Sequence, residues 1–176
     1  MHNLKKRKNL RLRDFDYNTP GAYFLTVCTQ NRQCILSRIF VGTGVLDCPI
    51  SKLTECGKIA DKYINQLNNF YDCLSIEDYV IMPNHIHLML RVNEKIINNG
   101  QSRTPVPTIN NIQANNLCSQ FISTFKRFCN KEYGKNIWQT RSYDHIIRNI
   151  DDYEEHRKYI LENPIKWHCD ELYAEE

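Results

Sequence analysis

Two histidines separated by one hydrophobic residue, His85 and His87, stand in the otherwise apolar segment VIMPNHIHLML at residues 80–90. Side chains alternate along a β-strand, so both imidazoles of such a stretch lie on the same face of a sheet. Two imidazoles about one strand repeat apart can donate lone pairs to a single divalent metal ion. Ordinary half-exposed strand histidines give the same pattern more often than metal ligands do, so metal binding and simple packing both stay open.

Two histidines cannot complete a coordination sphere, and the segment DDYEEHRKYILENP at residues 151–164 offers further ligands. Tyr159 and Asn163 lie four residues apart, a spacing that stacks them on one face of a helix. An amide oxygen there can reach a metal while the phenol points at the group that the metal polarises. Tyrosine at this spacing is also common in helical cores, so the pair alone is weak evidence for a site. It gains weight only together with the two histidines.

Hydrophobic periodicity predicts the elements that position these residues. A β-rich strand follows the turn signal TPG, and an amphipathic helix with Ser51 available as its cap comes next. Two further strands are joined tightly by Pro83 and Asn84, and Pro164 must end the last helix, whose first turn Asp151 can cap. The predicted order is strand 22–29, helix 53–67, strands 73–82 and 85–92, helix from 117 to at least 128, strand within 137–148, and helix 151–163.

This β-α-β-β-α-β order with a terminal helix predicts an α+β fold, the ferredoxin-like split β-α-β arrangement with an antiparallel sheet. Both crossing helices would cover one face of the sheet, and the other face would stay free for a site. Residues 86, 88, 90 and 92 are all apolar and would face the helices. His85 and His87 would then lie on the open face.

The charge of the chain is concentrated at its start. Of 23 basic residues, six precede the first acidic residue, and without them the 20 acidic residues predominate. Such an arm can bind a polyanion or can simply be solvated. The arm residues are Lys5, Lys6, Arg7, Lys8, Arg11 and Arg13.

The absence of a long apolar run or signal peptide predicts a soluble, cytoplasmic protein. The eight cysteines show no CxxC spacing, which favours reduced core thiols over zinc binding or disulfides.

Taken together, these motifs resemble those of the REP-associated tyrosine transposases, relatives of the small single-strand transposases of the HUH endonuclease superfamily. The resemblance runs through RLRDFDYNTPGAYFLTVCTQNR at residues 11–32, VIMPNHIHLML, and WQTRSYDHIIRNIDDYEEHRKYILENPIKW at residues 138–167. It implies that His85, His87 and Asn163 are metal ligands and that Tyr159 is the catalytic nucleophile. The chain length predicts a single domain over residues 1–176, with a basic tail at 1–13, and the polar, proline-containing stretch 93–111 predicts a flexible loop.

The implied activity is cleavage and rejoining of single-stranded DNA near hairpins through a 5′-phosphotyrosine intermediate. The cofactor would be Mg²⁺ or Mn²⁺, and the partner would be single-stranded DNA with hairpins from repetitive palindromic elements. We expect the basic tail to contact this DNA. The resemblance favours a monomer over a dimer, and a cytoplasmic, nucleoid-associated protein of a prokaryote.

Three residues of the segment SYDHIIRN, namely Tyr143, His145 and Arg148, are secondary candidates. We expect His145 to support or pack beside the site, and Tyr143 has no ligand-type partner at helical spacing. Histidine-triad hydrolases are an alternative class, but Met89 stands where they would need a third histidine. A non-catalytic relative that binds DNA hairpins is the other alternative.

Overall fold

The computed structural model describes residues 19–40, 50–93 and 117–174. The basic tail and nearly all of the predicted loop therefore lie outside the described residues. The elements, in chain order, are β1 Gly21–Cys28, β2 Ser37–Phe40, β3 Ile50–Leu53, α1 Glu55–Asn68, β4 Leu74–Ile81, β5 His85–Val92, α2 Leu117–Tyr133, β6 Tyr143–Ile146 and α3 Ile150–Glu162. Short 3-10 turns lie at Gln30–Arg32 and Trp167–Cys169.

Four strands form one antiparallel sheet in the order β4-β5-β1-β6. The two central strands pair along their whole length, from Gly21 opposite Val92 to Cys28 opposite His85. The connection between β4 and β5 closes tightly, because Met82 N donates to His85 O at 2.9 Å. This topology confirms the predicted ferredoxin-like α+β fold with an added C-terminal helix.

The sequence pattern missed a small second sheet made of β2 and β3. Ser51, predicted to cap α1, pairs with Ile39 inside that sheet, so the prediction was wrong. The cap is Thr54, whose side-chain oxygen accepts a hydrogen bond from Gly57 N at 3.1 Å. The helical period could not reveal that Thr54 is the cap, because the strand at residues 50–53 ends only one residue before it.

The main core lies between the sheet and the helices α1 and α2. On β5 the side chains of Ile86, Leu88, Leu90 and Val92 are buried in this core, as the alternating pattern predicted. Cysteines contribute to the same cluster, since the side chains of residues 56, 118 and 129 are buried there. Both observations place the apolar face of β5 against the helices.

The opposite face of the sheet is less open than predicted. Helix α3 packs across it, where Ile160 joins Phe24 and Met89 in a second, smaller cluster. His85 and His87 lie on this face as expected, but they are only 0% and 3% exposed. The site is therefore a buried one beneath α3 and the segment that follows it.

Helix α3 begins slightly earlier than predicted. Asn149, not Asp151, is its N-cap, and the Asn149 side chain accepts from Asp152 N at 2.9 Å. The prediction of Asp151 as the cap was therefore wrong by two positions. Asp151 and Asp152 instead lie in the first turn, where negative charge is favourable. Among the described helices, none combines the length and apolar character that crossing a bilayer requires.

Gly57 allows α1 to approach the chain that precedes β2. A Cβ atom at this position would lie 1.9 Å from Leu36 O, which is held by hydrogen bonds from the Thr54 amide and hydroxyl. We expect Gly57→Ala to lower the free energy of unfolding by roughly 1–3 kcal/mol, because overpacking outweighs the gain of about 1 kcal/mol in helix propensity. Urea denaturation measures this change.

The matched control is Gln66→Ala on the exposed side of the same helix. This substitution should change the free energy of unfolding by no more than about 0.5 kcal/mol. Equal denaturation midpoints for Gly57→Ala and the wild type would show that the close approach at Leu36 is not required.

Candidate active site

The pairing of β1 with β5 orients the two imidazoles. Thr26 lies opposite His87, and its hydroxyl is 2.9 Å from His87 Nδ1. His85 Nδ1 is 2.8 Å from Asn84 Oδ1, and Asn84 Nδ2 donates to Leu172 O at 2.8 Å. Because the amide oxygen of Asn84 accepts, His85 carries its proton on Nδ1 and presents a lone pair on Nε2.

Three buried atoms in this region have no hydrogen-bond partner among the residues that the structure describes: His85 Nε2, His87 Nε2 and Asn163 Oδ1. A buried polar atom left in this way costs about 1–3 kcal/mol. All three can offer lone pairs, and they belong to the residues that the resemblance implied as metal ligands. A divalent cation would satisfy them, so the donor set fits such an ion.

The protonation state of the histidines suits the same role. Burial lowers the pKa of His85 to about 4, and burial together with the neighbouring His85 lowers the pKa of His87 to about 3. The ring centroids lie 4.5 Å apart. Both imidazoles are therefore neutral at pH 7, which metal binding requires.

Tyr159 lies beside the histidine pair near the end of α3. Its ring packs edge-on against His87, with centroids 5.1 Å apart, while the side chain remains 41% exposed. The hydroxyl donates to Asp170 Oδ2 at 2.8 Å. Burial, followed by this hydrogen bond, raises the pKa of Tyr159 above its usual range, so the phenol keeps its proton at neutral pH.

Asp170 is the residue of this site that the sequence patterns missed. Its Oδ2 atom also accepts from Asn163 Nδ2 at 2.8 Å, which leaves Asn163 Oδ1 as the unpartnered atom of that amide. Burial opposes ionisation of Asp170, but hydrogen bonds from Leu172 N, Asn163 and Tyr159 outweigh it and lower the pKa. His85, His87 and Asp170 bring potential ligand atoms within 4.8 Å of one another.

No signal in the sequence pointed to Asp170. It follows the 3-10 turn Trp167–Cys169, beyond the last helix, and belongs to no periodic pattern. Only the return of the chain after α3 brings this carboxylate back to the histidines. The side chain of Trp167 contributes to that return, since it is buried with its ring 5.9 Å from that of His85.

A second polar cluster lies at the start of α3 and contains His145, Asp152 and His156. His145 Nε2 lies 3.0 Å from Asp152 Oδ1, and His156 Nδ1 is equally distant from the same oxygen. The two rings stack with centroids 4.5 Å apart and planes 15° apart. A metal cannot lie in the planes of two rings stacked in this way, so the cluster in this conformation is a hydrogen-bonded one. Asp152 Oδ2 also accepts from Arg148 N at 2.9 Å.

A cleft of about 560 Å³ opens beside Tyr159. Tyr143 on β6 lines it from one side and is half exposed, while His156 on α3 lines it from another. The His156 ring packs against His145 and Phe24 and also lines the cleft. The full lining comprises Phe24, Thr26, Cys28, His87, Tyr143, Glu155, His156, Tyr159, Asp170, Glu171 and Leu172.

Comparison with known proteins gives three bacterial relatives, two of which carry the name of REP-associated tyrosine transposases. An uncharacterized protein of Haemophilus influenzae is 28% identical over 178 residues, which cover 96% of this chain and 94% of that protein. A second protein of H. influenzae, provisionally named a REP-associated tyrosine transposase, is 28% identical over 158 residues, covering 86% of this chain and 74% of that protein. No protein-family model matches the chain.

A REP-associated tyrosine transposase of Escherichia coli K12 is 31% identical over 91 residues, covering 52% of this chain and 44% of that protein. The solved structure of a REP-associated tyrosine transposase bound to a REP hairpin shares the fold, with a TM-score of 0.59 and 23% identity. That similarity covers 89% of this chain and 73% of the solved chain. This chain is therefore similar to the REP-associated tyrosine transposases in sequence and in fold, the family that its motifs resemble.

Proposed function

We propose that the protein is a metal-dependent nuclease and strand transferase that acts on single-stranded DNA through Tyr159. One observation carries the proposal: three buried ligand atoms on His85, His87 and Asn163, which have no partner within the described part of the chain, lie beside the hydroxyl-bearing ring of Tyr159. Relatives that carry the name of tyrosine transposases support the same activity.

His85, His87 and Asn163 would hold the metal ion, with the carboxylate of Asp170 beside them. A bound divalent metal would supply Lewis acidity that draws charge from the scissile phosphate. The donor set of two imidazoles and one amide suits Mn²⁺ more readily than Mg²⁺, which prefers oxygen. We therefore propose that Mg²⁺ serves in the cell and that Mn²⁺ works at least equally well in the assay.

Tyr159 would act as the nucleophile on the phosphorus atom. The bond between phosphorus and the tyrosine oxygen forms as the bond to the 3′-oxygen breaks, which leaves the 5′ end covalently bound to Tyr159. The phenolic proton must leave, and the departing 3′-oxygen must gain one. Asp170 Oδ2 accepts the Tyr159 hydrogen bond, so it orients the phenolic oxygen before attack. The phosphotyrosine ester keeps the bond energy that rejoining needs.

Single-stranded DNA that carries a hairpin is the proposed partner. The structural neighbour with the shared fold was solved with a REP hairpin bound. We propose that the basic tail, which lies outside the described residues, holds the phosphate backbone near the foot of the hairpin and that Tyr17 contacts one base. The protein would act in the bacterial cytoplasm, at the chromosome.

A monomer suffices for this activity. One chain supplies both the histidines on β5 and the tyrosine on α3, and the two elements pack together within that chain. We therefore propose a single domain over residues 1–176 that acts as a monomer. A mixture of His87→Ala and Tyr159→Phe chains tests this, because restored cleavage in the mixture would require exchange of α3 between chains.

Deletion of residues 1–13 should weaken binding to hairpin DNA and flatten its dependence on salt. Each phosphate contact on a single strand contributes a slope of about −0.7 to the logarithmic salt plot, so six contacts would contribute roughly −4. Fluorescence anisotropy across a salt series measures the slope. An unchanged slope would show that the tail does not contact phosphate.

Cleavage of single-stranded oligonucleotides tests the function itself. Labelled strands that carry palindromes from the source genome, with their flanking sequences, are incubated with Mn²⁺, with Mg²⁺ and with excess chelator. We expect cleavage and a covalent protein–DNA species only with metal. Hairpin binding without cleavage under every metal condition would instead support the non-catalytic alternative.

A further inference from the structure

We infer that the cleft beside Tyr159 holds a nucleobase with an exocyclic amino group, contributed by the nucleotide next to the scissile phosphate. This inference rests on the proposed function. The cleft shares His87, Tyr159 and Asp170 with the candidate active site, so it opens directly onto that site. A DNA strand with its phosphate at Tyr159 would bring a neighbouring base to the cleft.

The lining of the cleft suits a flat aromatic ligand. Its volume of about 560 Å³ falls within the range of roughly 300–1,000 Å³ that is typical of small-ligand sites. Five rings contribute to its wall, on Phe24, His87, Tyr143, His156 and Tyr159. Bases stack on such rings largely independently of sequence, because every base presents a π-face.

The charges around the cleft favour a base over a phosphate. Three acidic residues, Glu155, Asp170 and Glu171, line it, and its described lining includes neither lysine nor arginine. Away from the proposed metal ligands, a phosphodiester would meet like charge there without a compensating cation. An uncharged base avoids this repulsion, and an exocyclic amino group can donate a hydrogen bond to a carboxylate.

Glu155 is the carboxylate best suited to that hydrogen bond. Asp170 already accepts from Tyr159 and Asn163, whereas Glu155 projects from the exposed side of α3 one turn before Tyr159. Adenine, cytosine and guanine carry an exocyclic amino group, while thymine and uracil present carbonyl oxygens at the corresponding edge. A Glu155 carboxylate would thus discriminate against thymine.

Part of the wall is held in place before any DNA arrives. The His156 ring stacks on His145 with centroids 4.5 Å apart and is tilted against Phe24 with centroids 4.7 Å apart, and its Nδ1 lies 2.8 Å from Asp152 O. Phe24 in turn stacks on His87 at 4.9 Å. A wall that is already ordered loses little conformational entropy when a base binds.

Tyr143 supplies the most accessible ring of the wall. It lies on β6, the edge strand, and is 49% exposed, so a ligand in the cleft can reach its ring. The backbone pairing of Tyr143 with Thr26 fixes the position from which the ring lines the cleft. We assign Tyr143 as the stacking platform for the base.

The test measures binding, without added metal, of three labelled single strands of equal length. These are oligodeoxycytidine, oligodeoxyuridine and an abasic strand built from tetrahydrofuran residues. The full-length wild type is compared by fluorescence anisotropy with Tyr143→Phe, Tyr143→Ala and Glu155→Gln. Phe70→Ala, which removes an aromatic ring that is 67% exposed and lines a different groove, is the matched control.

We expect the wild type to bind oligodeoxycytidine more tightly than oligodeoxyuridine, and both more tightly than the abasic strand. Tyr143→Ala should weaken binding of oligodeoxycytidine by roughly 5- to 150-fold, the effect of one stacked base, and leave the abasic strand unaffected. Tyr143→Phe and Phe70→Ala should behave as the wild type. Glu155→Gln should reduce the preference for cytosine over uracil, because the glutamine amide can also donate to a carbonyl oxygen.

Equal weakening of the abasic and intact strands by Tyr143→Ala would overturn the inference, as would no weakening at all. Equal affinity of the wild type for cytosine and uracil would overturn the preference for a base with an exocyclic amino group, and with it the role of Glu155. Because the assay involves neither metal nor cleavage, its outcome is separate from that of the proposed function. If the protein prefers one base but forms no covalent adduct, only the proposed nuclease activity is rejected. If it forms the adduct but shows no base preference, only the proposal that the cleft binds a base is rejected.

Discussion

Tyr159→Phe should abolish the covalent protein–DNA adduct and leave the fold and hairpin binding intact. The substitution removes only the phenolic oxygen, which is the proposed nucleophile, and the ring can keep its contacts with His87 and Phe24. The expected loss of cleavage is on the order of 10⁴-fold or more, as for removal of the nucleophile from other enzymes that form covalent intermediates. Denaturing gels of trapped reactions with labelled DNA measure the adduct.

The matched control is Tyr143→Phe, which removes the same atom from the other tyrosine of the cleft. It should still form the adduct, and mass spectrometry of the trapped wild type should find DNA on Tyr159. DNA attached to Tyr143 or to His87 would contradict the proposed mechanism in its central residue. Tyr159→Phe also removes the hydrogen bond to Asp170, so a thermal unfolding curve should accompany the assay.

His87→Ala should eliminate both metal binding and cleavage while hairpin binding persists. The imidazole supplies one of the three unpartnered lone pairs, and the two that remain cannot hold a divalent ion firmly. Cleavage should fall by roughly 10²- to 10⁴-fold, since a metal acting as Lewis acid supplies several kcal/mol. A readout apart from activity is the unfolding temperature, which Mn²⁺ should raise for the wild type and not for His87→Ala.

His168→Ala is the control for this experiment. His168 is exposed and packs against Tyr173 with ring centroids 5.2 Å apart, outside the proposed ligand set. The control should retain both the Mn²⁺-dependent stabilisation and the cleavage of the wild type. Full cleavage by the wild type in excess chelator would contradict the metal-dependent proposal.

Much of the fold followed from local patterns. The alternation of apolar residues along β5 predicted which side chains enter the main core, and His85 and His87 lie on the opposite face as a result. The spacing of Tyr159 and Asn163 predicted that both would point to one side of α3, and they share Asp170 as a hydrogen-bond partner. These inferences needed only the repeat of a strand and the turn of a helix.

Caps and small sheets were predicted less well. Ser51 was assigned to the wrong element because a short strand directly before a helix leaves no periodic signal of its own. For α3, Asn149 and Asp151 both have side chains that can accept from an exposed helical amide. Only the backbone conformation decided between them, and it placed Asn149 at the cap.

The sequence by itself therefore determined the strand and helix faces that carry the candidate residues, because the backbone repeats of 2.0 and 3.6 residues operate within a single element. Only the tertiary structure decided that the imidazoles are buried, that Asp170 returns to them after the last helix, and that Tyr143 and His156 line one cleft. These contacts join residues far apart in the chain. They depend on how whole elements pack over the sheet, and no local repeat encodes that packing.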